Sequence, residues 1–198
     1  MSLAPRMTAY LAQLPAGVDS YPDVVEKASV YREYLVGVDS EALRRVLPPA
    51  LLPMIDAPPP SSAWVSEVHV AALFLALSDT LGEEAAFVEL AYRANRRLLG
   101  GPMYRLLFSL LGPRTILKGA QSRWGHFHRG VTMHVAFVDD ERGATVRLTF
   151  PPKLLVPLLF RSYGEAFRAA AEVAGAKDAS VRIEAHGDAY VRFAVDWA

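Results

Sequence analysis

The sequence predicts an α+β fold. A helical N-terminal half packs on an antiparallel sheet, and the C-terminal half runs strand, strand, helix, hairpin. Three observations predict it. The last residues alternate apolar and polar at period two, with Val181 and Ile183 before His186-Gly187-Asp188 and Val191, Phe193, Val195 and Trp197 after it. This is the pattern of a hairpin with one buried face. Ahead of the hairpin, Leu154, Leu155, Leu158, Leu159, Tyr163, Phe167, Ala170 and Ala174 recur at helical spacing until Gly175, a residue suited to a helix C-cap. Between residues 61 and 113, three apolar segments are separated by helix stop and start signals.

Taken in chain order, residues 1–26 read as an irregular or helical arm broken at Pro15-Ala16-Gly17 and Tyr21-Pro22. Lys27 to Val38 is rich in Val and Tyr and is read as a strand, although Val30, Tyr31, Tyr34 and Leu35 also fit a helical stripe. Ser40 offers an N-cap for a short helix that Pro48-Pro49 stops, and Pro53 and Pro58-Pro59-Pro60 make a stiff connector. The first of the three helices opens at Ser61 or Ser62 and runs to about Thr80, apolar on most sides. The second places Glu83 and Glu84 in its first turn and Arg96 and Arg97 in its last, complementing the helix dipole, and closes at Gly100-Gly101. The third begins at Pro102 and ends at Gly112-Pro113. A long strand is expected over Arg123 to Val138 with a bulge or bend at Gly130, then a polar turn over 139–143 and a strand from Ala144 to Phe150. Pro151-Pro152 leads into the last helix.

A chain of 198 residues that is 52% hydrophobic can bury a full core, and it divides into an arm with a proline-rich connector over 1–60 and a single α+β domain over 61–198. Its 21 basic and 21 acidic residues balance, which removes the global electrostatic reason to bind nucleic acid. The absence of cysteine excludes disulfides, thiolate metal sites and a cysteine nucleophile. The first residues lack the apolar run of a signal peptide, and the most apolar segment, Ala63 to Leu77, falls short of the roughly 20 residues that span a bilayer. A cytoplasmic protein without a transmembrane segment is expected.

The segments Glu67-Val68-His69-Val70-Ala71-Ala72-Leu73, Arg123-Trp124-Gly125-His126-Phe127-His128-Arg129-Gly130 and Arg161-Ser162-Tyr163-Gly164-Glu165-Ala166-Phe167 resemble an uncharacterised paralogous family of myxobacterial proteins. The element order of residues 62–198 resembles the superfamily that joins haem-NO-binding domains, vinyl-reductase-like regulatory domains and TRAPP vesicle-tethering subunits. The resemblance implies a scaffold for dimerisation, for an apolar pocket or for docking. It does not carry the relatives' chemistry with it. The Tyr-x-Ser-x-Arg motif that holds haem propionates is missing, and neither the cysteine cluster of the vinyl-reductase-like domains nor the acylated TRAPP cysteine exists in this chain. No cofactor is expected.

His126 and His128, with His134 further on, form the metal-like cluster, because residues two apart on a strand share a face. The favoured reading puts these histidines on a solvated sheet face, with Phe127, Val131, Met133, Val135 and Phe137 facing the core. The weak metal candidates are therefore His126, His128 and His134. Arg93, Arg96, Arg97 and Arg105, with Arg114 and Lys118, read as a helix C-terminus and solvated surface more readily than as an anion grip. Glu67 and His69 lie in the most apolar helix and must find hydrogen bonds there, while Asp79 reads as part of the turn before Glu83. Ser162 lacks the frame of a hydrolase nucleophile, and no Gly-rich phosphate loop occurs.

The resulting expectation is a non-catalytic regulatory or sensor domain that binds a small apolar molecule or an acyl chain. Its candidate ligand-binding residues are His69, Tyr104, Arg123, Trp124 and Tyr163. The alternative is a protein-interaction or dimerisation module, with a homodimer expected, and a histidine-based metalloenzyme ranks third.

Overall fold

A computed structural model describes residues 2–101, 113–137 and 143–198. The chain begins with α1 (Pro5–Gln13), β1 (Val25–Lys27), α2 (Ala28–Tyr34), α3 (Ser40–Arg44), α4 (Pro53–Asp56), β2 (Trp64–Ser66), α5 (Glu67–Leu81) and α6 (Glu84–Gly100). After residue 112 come α7 (Pro113–Arg123), β3 (His128–Arg129), β4 (Thr132–Phe137), β5 (Gly143–Thr149), α8 (Pro157–Val173), β6 (Ser180–Gly187) and β7 (Tyr190–Asp196). The α+β class holds. The expected helix over 102–112 and the turn over 139–142 lie outside the described residues.

The four-stranded antiparallel sheet has the order β4-β5-β7-β6, and its inner face supplies Val146, Leu148, Val191, Phe193 and Val195, all buried. α8 covers that face; its Phe167 meets Phe193 edge-on at 5.2 Å between ring centroids. Helix and sheet come close where Gly164 lies, since a Cβ there would stand 3.6 Å from Val181, an ordinary contact. The periodicities at the C-terminus are thus realised, with two adjustments. β7 stops at Asp196, leaving Trp197 half-buried beyond it, and Ile183 is exposed on the edge strand next to an irregularity in the β6–β7 register.

α5 runs through the middle of the helical half, and from Val70 to Leu77 every residue is buried. It is shorter at its start than the sequence suggests, because Trp64, Val65 and Ser66 pair with β1 as a strand and Ser66, not Ser61 or Ser62, caps the helix. The expected strand over 27–38 is corrected in the same way. Only Val25–Lys27 is extended, and Tyr31 and Tyr34 of α2 turn one helical face inward, Tyr34 stacking on Phe74 with centroids 4.1 Å apart. A 3-10 turn over Trp124–His126 replaces the first part of the expected strand over 123–138; it follows α7, where Pro113, read as a stop, opens a helix instead, consistent with its missing N–H costing nothing there.

Residues before position 60 enter the same core as those after it. Met7 and Tyr10 of α1 are buried, α1 packs on α5, and the Tyr10 hydroxyl donates to the Leu154 carbonyl oxygen at 2.8 Å. Asp79, read from sequence as a turn residue, holds α1 in place by accepting from the Arg6 backbone N–H at 2.9 Å and from its guanidinium at 2.6 Å. A carboxylate at an N-terminal turn meets unsatisfied donors and the positive end of the dipole. Asp79→Ala is expected to lower stability by about 2 kcal/mol, the scale of charged hydrogen bonds, with Asp79→Asn recovering part of the loss. Equal urea midpoints for wild type and Asp79→Ala would show that α1 docks without this contact. No helix among the described residues is long and apolar enough to cross a membrane.

Candidate functional site

A second, three-stranded antiparallel sheet, β2-β1-β3, builds the site. Glu26 of β1 lies directly opposite His128 of β3, and residues opposite each other in an antiparallel pair project to the same face. β2, on the other side of β1, runs directly into α5, so Glu67, the first residue of α5, comes to that same face. The His128 Nδ1 stands 3.2 Å from Glu67 Oε2 and 3.7 Å from Glu26 Oε2. From α8, the Tyr163 hydroxyl donates to Glu67 Oε1 at 2.7 Å.

The cluster is deeply buried: Glu26 is 2%, Glu67 3% and His128 5% exposed. Burial first, and then the neighbouring Glu67, hold the Glu26 carboxyl well above the usual carboxylate range, which favours its protonated form. Burial and the two carboxyl groups likewise push the Tyr163 phenol well up, so it remains a donor. Trp124 lies over the His128 ring, centroids 4.2 Å apart and planes 17° from parallel, and is itself fixed by its indole N–H donating to the Val131 carbonyl oxygen at 2.9 Å.

This cluster forms one end of an apolar cavity of about 210 Å³ lying among α2, α5, α6, α7 and α8. Val70, Ala71, Phe74, Leu98, Ile116 and Leu159 are among its walls, and Glu67, His128 and Tyr163 also line it. A second polar group, Tyr34, Asn95 and Ser162, lines it as well. Asn95 Nδ2 donates to the Tyr34 hydroxyl at 3.0 Å, and that hydroxyl lies 2.9 Å from Ser162 Oγ. Burial raises the Tyr34 phenol to about 12, so it stays neutral. Both polar groups are satisfied internally apart from one atom: Glu26 Oε1 is buried with no hydrogen-bond partner.

Of the residues singled out in the sequence, Arg123, Trp124 and Tyr163 line the cavity. His69 does not; it is half-buried near Val18 and Asp19, and burial lowers its pKa. Tyr104 lies outside the described residues. His126 and His134 are exposed, as expected, but His128 is buried and faces the two glutamates, which corrects the expectation that it points outward. The arginines of α6 are taken up by carboxylates, Arg93 by Glu89, Arg96 by Glu172 and Arg97 by Glu33. Sequence reasoning missed Glu26, Tyr34, Asn95 and Ser162 as partners in the site.

No family model matches this chain, and no curated protein matches it. Solved structures do. The Fe(II) unliganded H-NOX protein from K. algicida is 11% identical with a TM-score of 0.59, over 87% of this chain and 96% of that one. An alanine-to-glycine mutant of that protein gives the same score at 10% identity and the same coverage. A phenylalanine-to-leucine variant of Tt H-NOX is 9% identical with a TM-score of 0.55, over 86% of this chain and 94% of that one. At such identities the likeness speaks for the architecture alone: this chain is built on the H-NOX, or haem-NO-binding, fold.

Proposed function

We propose that this protein is a non-catalytic regulatory domain that binds a small apolar molecule or short acyl chain in the cavity among α2, α5, α6, α7 and α8. The observation that carries this reading is the cavity itself. At about 210 Å³ it is larger than the ~150 Å³ apolar cavity known to admit benzene. Its wall is mostly aliphatic and aromatic, with two fixed polar groups to orient a ligand, the usual design of a small-molecule site.

The H-NOX neighbours include proteins described by their Fe(II) state. The described residues of this chain do not fit a haem. The cavity lies below the roughly 300–1,000 Å³ of pockets for drug-sized ligands, and a porphyrin is larger than most of those. Arg123 is the one cation among the described lining residues, and the sequence has no Tyr-x-Ser-x-Arg motif for the propionates. The imidazole at the wall, His128, has one ring face covered by Trp124, with centroids 4.2 Å apart.

Native mass spectrometry of the purified protein tests the reading. A retained small-molecule mass is expected, absent from Ala71→Phe, which fills the cavity, and no Soret absorption should accompany it. An unliganded mass that no apolar probe of benzene to indole size increases, in wild type as in Ala71→Phe, would remove the ligand-binding function.

A further inference from the structure

The polar end of the cavity has a second capacity that small-molecule binding does not use. Glu26, Glu67 and His128 each present one ligand-type atom, and these atoms lie within 4.8 Å of one another. A divalent ion bound at about 2.0–2.2 Å places neighbouring ligand atoms roughly 3.0–3.6 Å apart; the His128 Nδ1 to Glu67 Oε2 separation of 3.2 Å falls in that range, and the 3.7 Å to Glu26 Oε2 lies just above it. We propose that Glu26, Glu67 and His128 form a mononuclear binding site for one divalent transition-metal ion, with its open coordination side toward the cavity.

Three features of the structure support this beyond proximity. Glu26 Oε1, on a side chain only 3% exposed, has no hydrogen-bond partner, and an unpaired buried oxygen is costly unless something fills the place. Neither carboxyl group has a Lys or Arg at ion-pair distance among the described residues; His128 is the one basic group beside them. A divalent cation would balance the charge of two carboxylates there. Tyr163, finally, donates to the Glu67 oxygen that does not face His128, the outer contact that fixes a ligating carboxylate in orientation.

The ligand set narrows the ion. One imidazole and two carboxylates without thiolate suit zinc, iron(II) or manganese(II) and disfavour copper(I). Three protein ligands leave at least one coordination position for an exchangeable group. Because Glu67 and His128 line the cavity, that group would be held where a small molecule can reach it.

The experiment titrates the full chain, stripped by chelator dialysis, with zinc(II) alone and with manganese(II) alone in a calorimeter. Saturable one-to-one binding of either ion is expected. It should weaken by at least about 100-fold in Glu26→Gln and in His128→Ala, and by about 10-fold in Tyr163→Phe. The His126→Ala/His134→Ala double variant should bind as wild type does. Absence of saturable binding to wild type, retention of affinity in Glu26→Gln, or loss of binding in the double variant each overturns the site. If His128→Ala does not fold, zinc-edge X-ray absorption on stoichiometrically loaded wild type decides: one imidazole with oxygen donors supports the site, and two or more imidazoles, or none, reject it. The proposal does not depend on what occupies the cavity, since the titration uses only the metal, and retained small-molecule mass is measured separately.

Discussion

Phe193→Ala lowers the unfolding free energy by about 3–5 kcal/mol, the largest expected loss for a single truncation in the sheet. Phe193 is fully buried at the centre of β7, opposite Val146 of β5 and Ile183 of β6, with Phe167 of α8 edge-on against it. Removing the ring deletes the edge-on contact between β7 and α8 and leaves a cavity that a regular sheet cannot collapse to fill. Trp197→Ala, by contrast, truncates a half-buried side chain beyond the last paired residue and should cost about 1–1.5 kcal/mol. Urea denaturation of both variants, compared at unchanged slope, tests the ranking. A Phe193→Ala midpoint equal to that of wild type, or a larger shift for Trp197→Ala, would mean that α8 does not pack on this face.

The C-terminal half is legible in the sequence because each of its elements is buried on one side only. Strands over 144–150 and 190–196 and the helix over 157–173 carry their periods openly, since solvent enforces polar residues on the other side. The helical half is harder to read. α5 is buried all round and has no polar face to set its limits, so its expected start slides back over β2. Val and Tyr over 27–38 satisfy both the strand and the helix pattern. The decision between them is made by Tyr31 and Tyr34 packing into the core, which no local window contains.

The site is less legible than the fold. Carrying the alternation of β4 back through 123–138 as one strand places His128 outward. That alternation does hold from Val131 onward, with Val131 and Met133 buried and His134 exposed. It fails at Gly130, whose positive φ breaks the phase and turns His128 inward. Glu67 leaves a signal, as a carboxylate in the most apolar segment. Glu26 leaves none, because only the pairing of β1 with β3, which joins residues about a hundred positions apart, sets it opposite His128.

Gly130 therefore carries the second large effect. Its φ is +83°, and a Cβ there would lie 2.7 Å from Val24 Cγ2 and 3.1 Å from Val24 Cα. The first contact can be relieved by moving a side chain, but the second is with backbone. An alanine costs about 1–2 kcal/mol for the left-handed conformation and about 1–3 kcal/mol more for the overlap. Gly175 separates the two costs: its φ is +90°, with nothing within 4 Å of a Cβ, so Gly175→Ala should show the conformational cost alone. Gly130→Ala is expected to be the less stable of the two. The overlap acts as a wedge between β1 and β3, two residues from Glu26 on one strand and two from His128 on the other, so it should also open the buried cluster. The His128 ring resonances in an NMR spectrum should shift in Gly130→Ala and stay in place in Gly175→Ala. Equal stabilities and an unmoved His128 in both variants would show that the glycine is needed only for its backbone conformation, and that β3 is positioned by something other than its close approach to Val24.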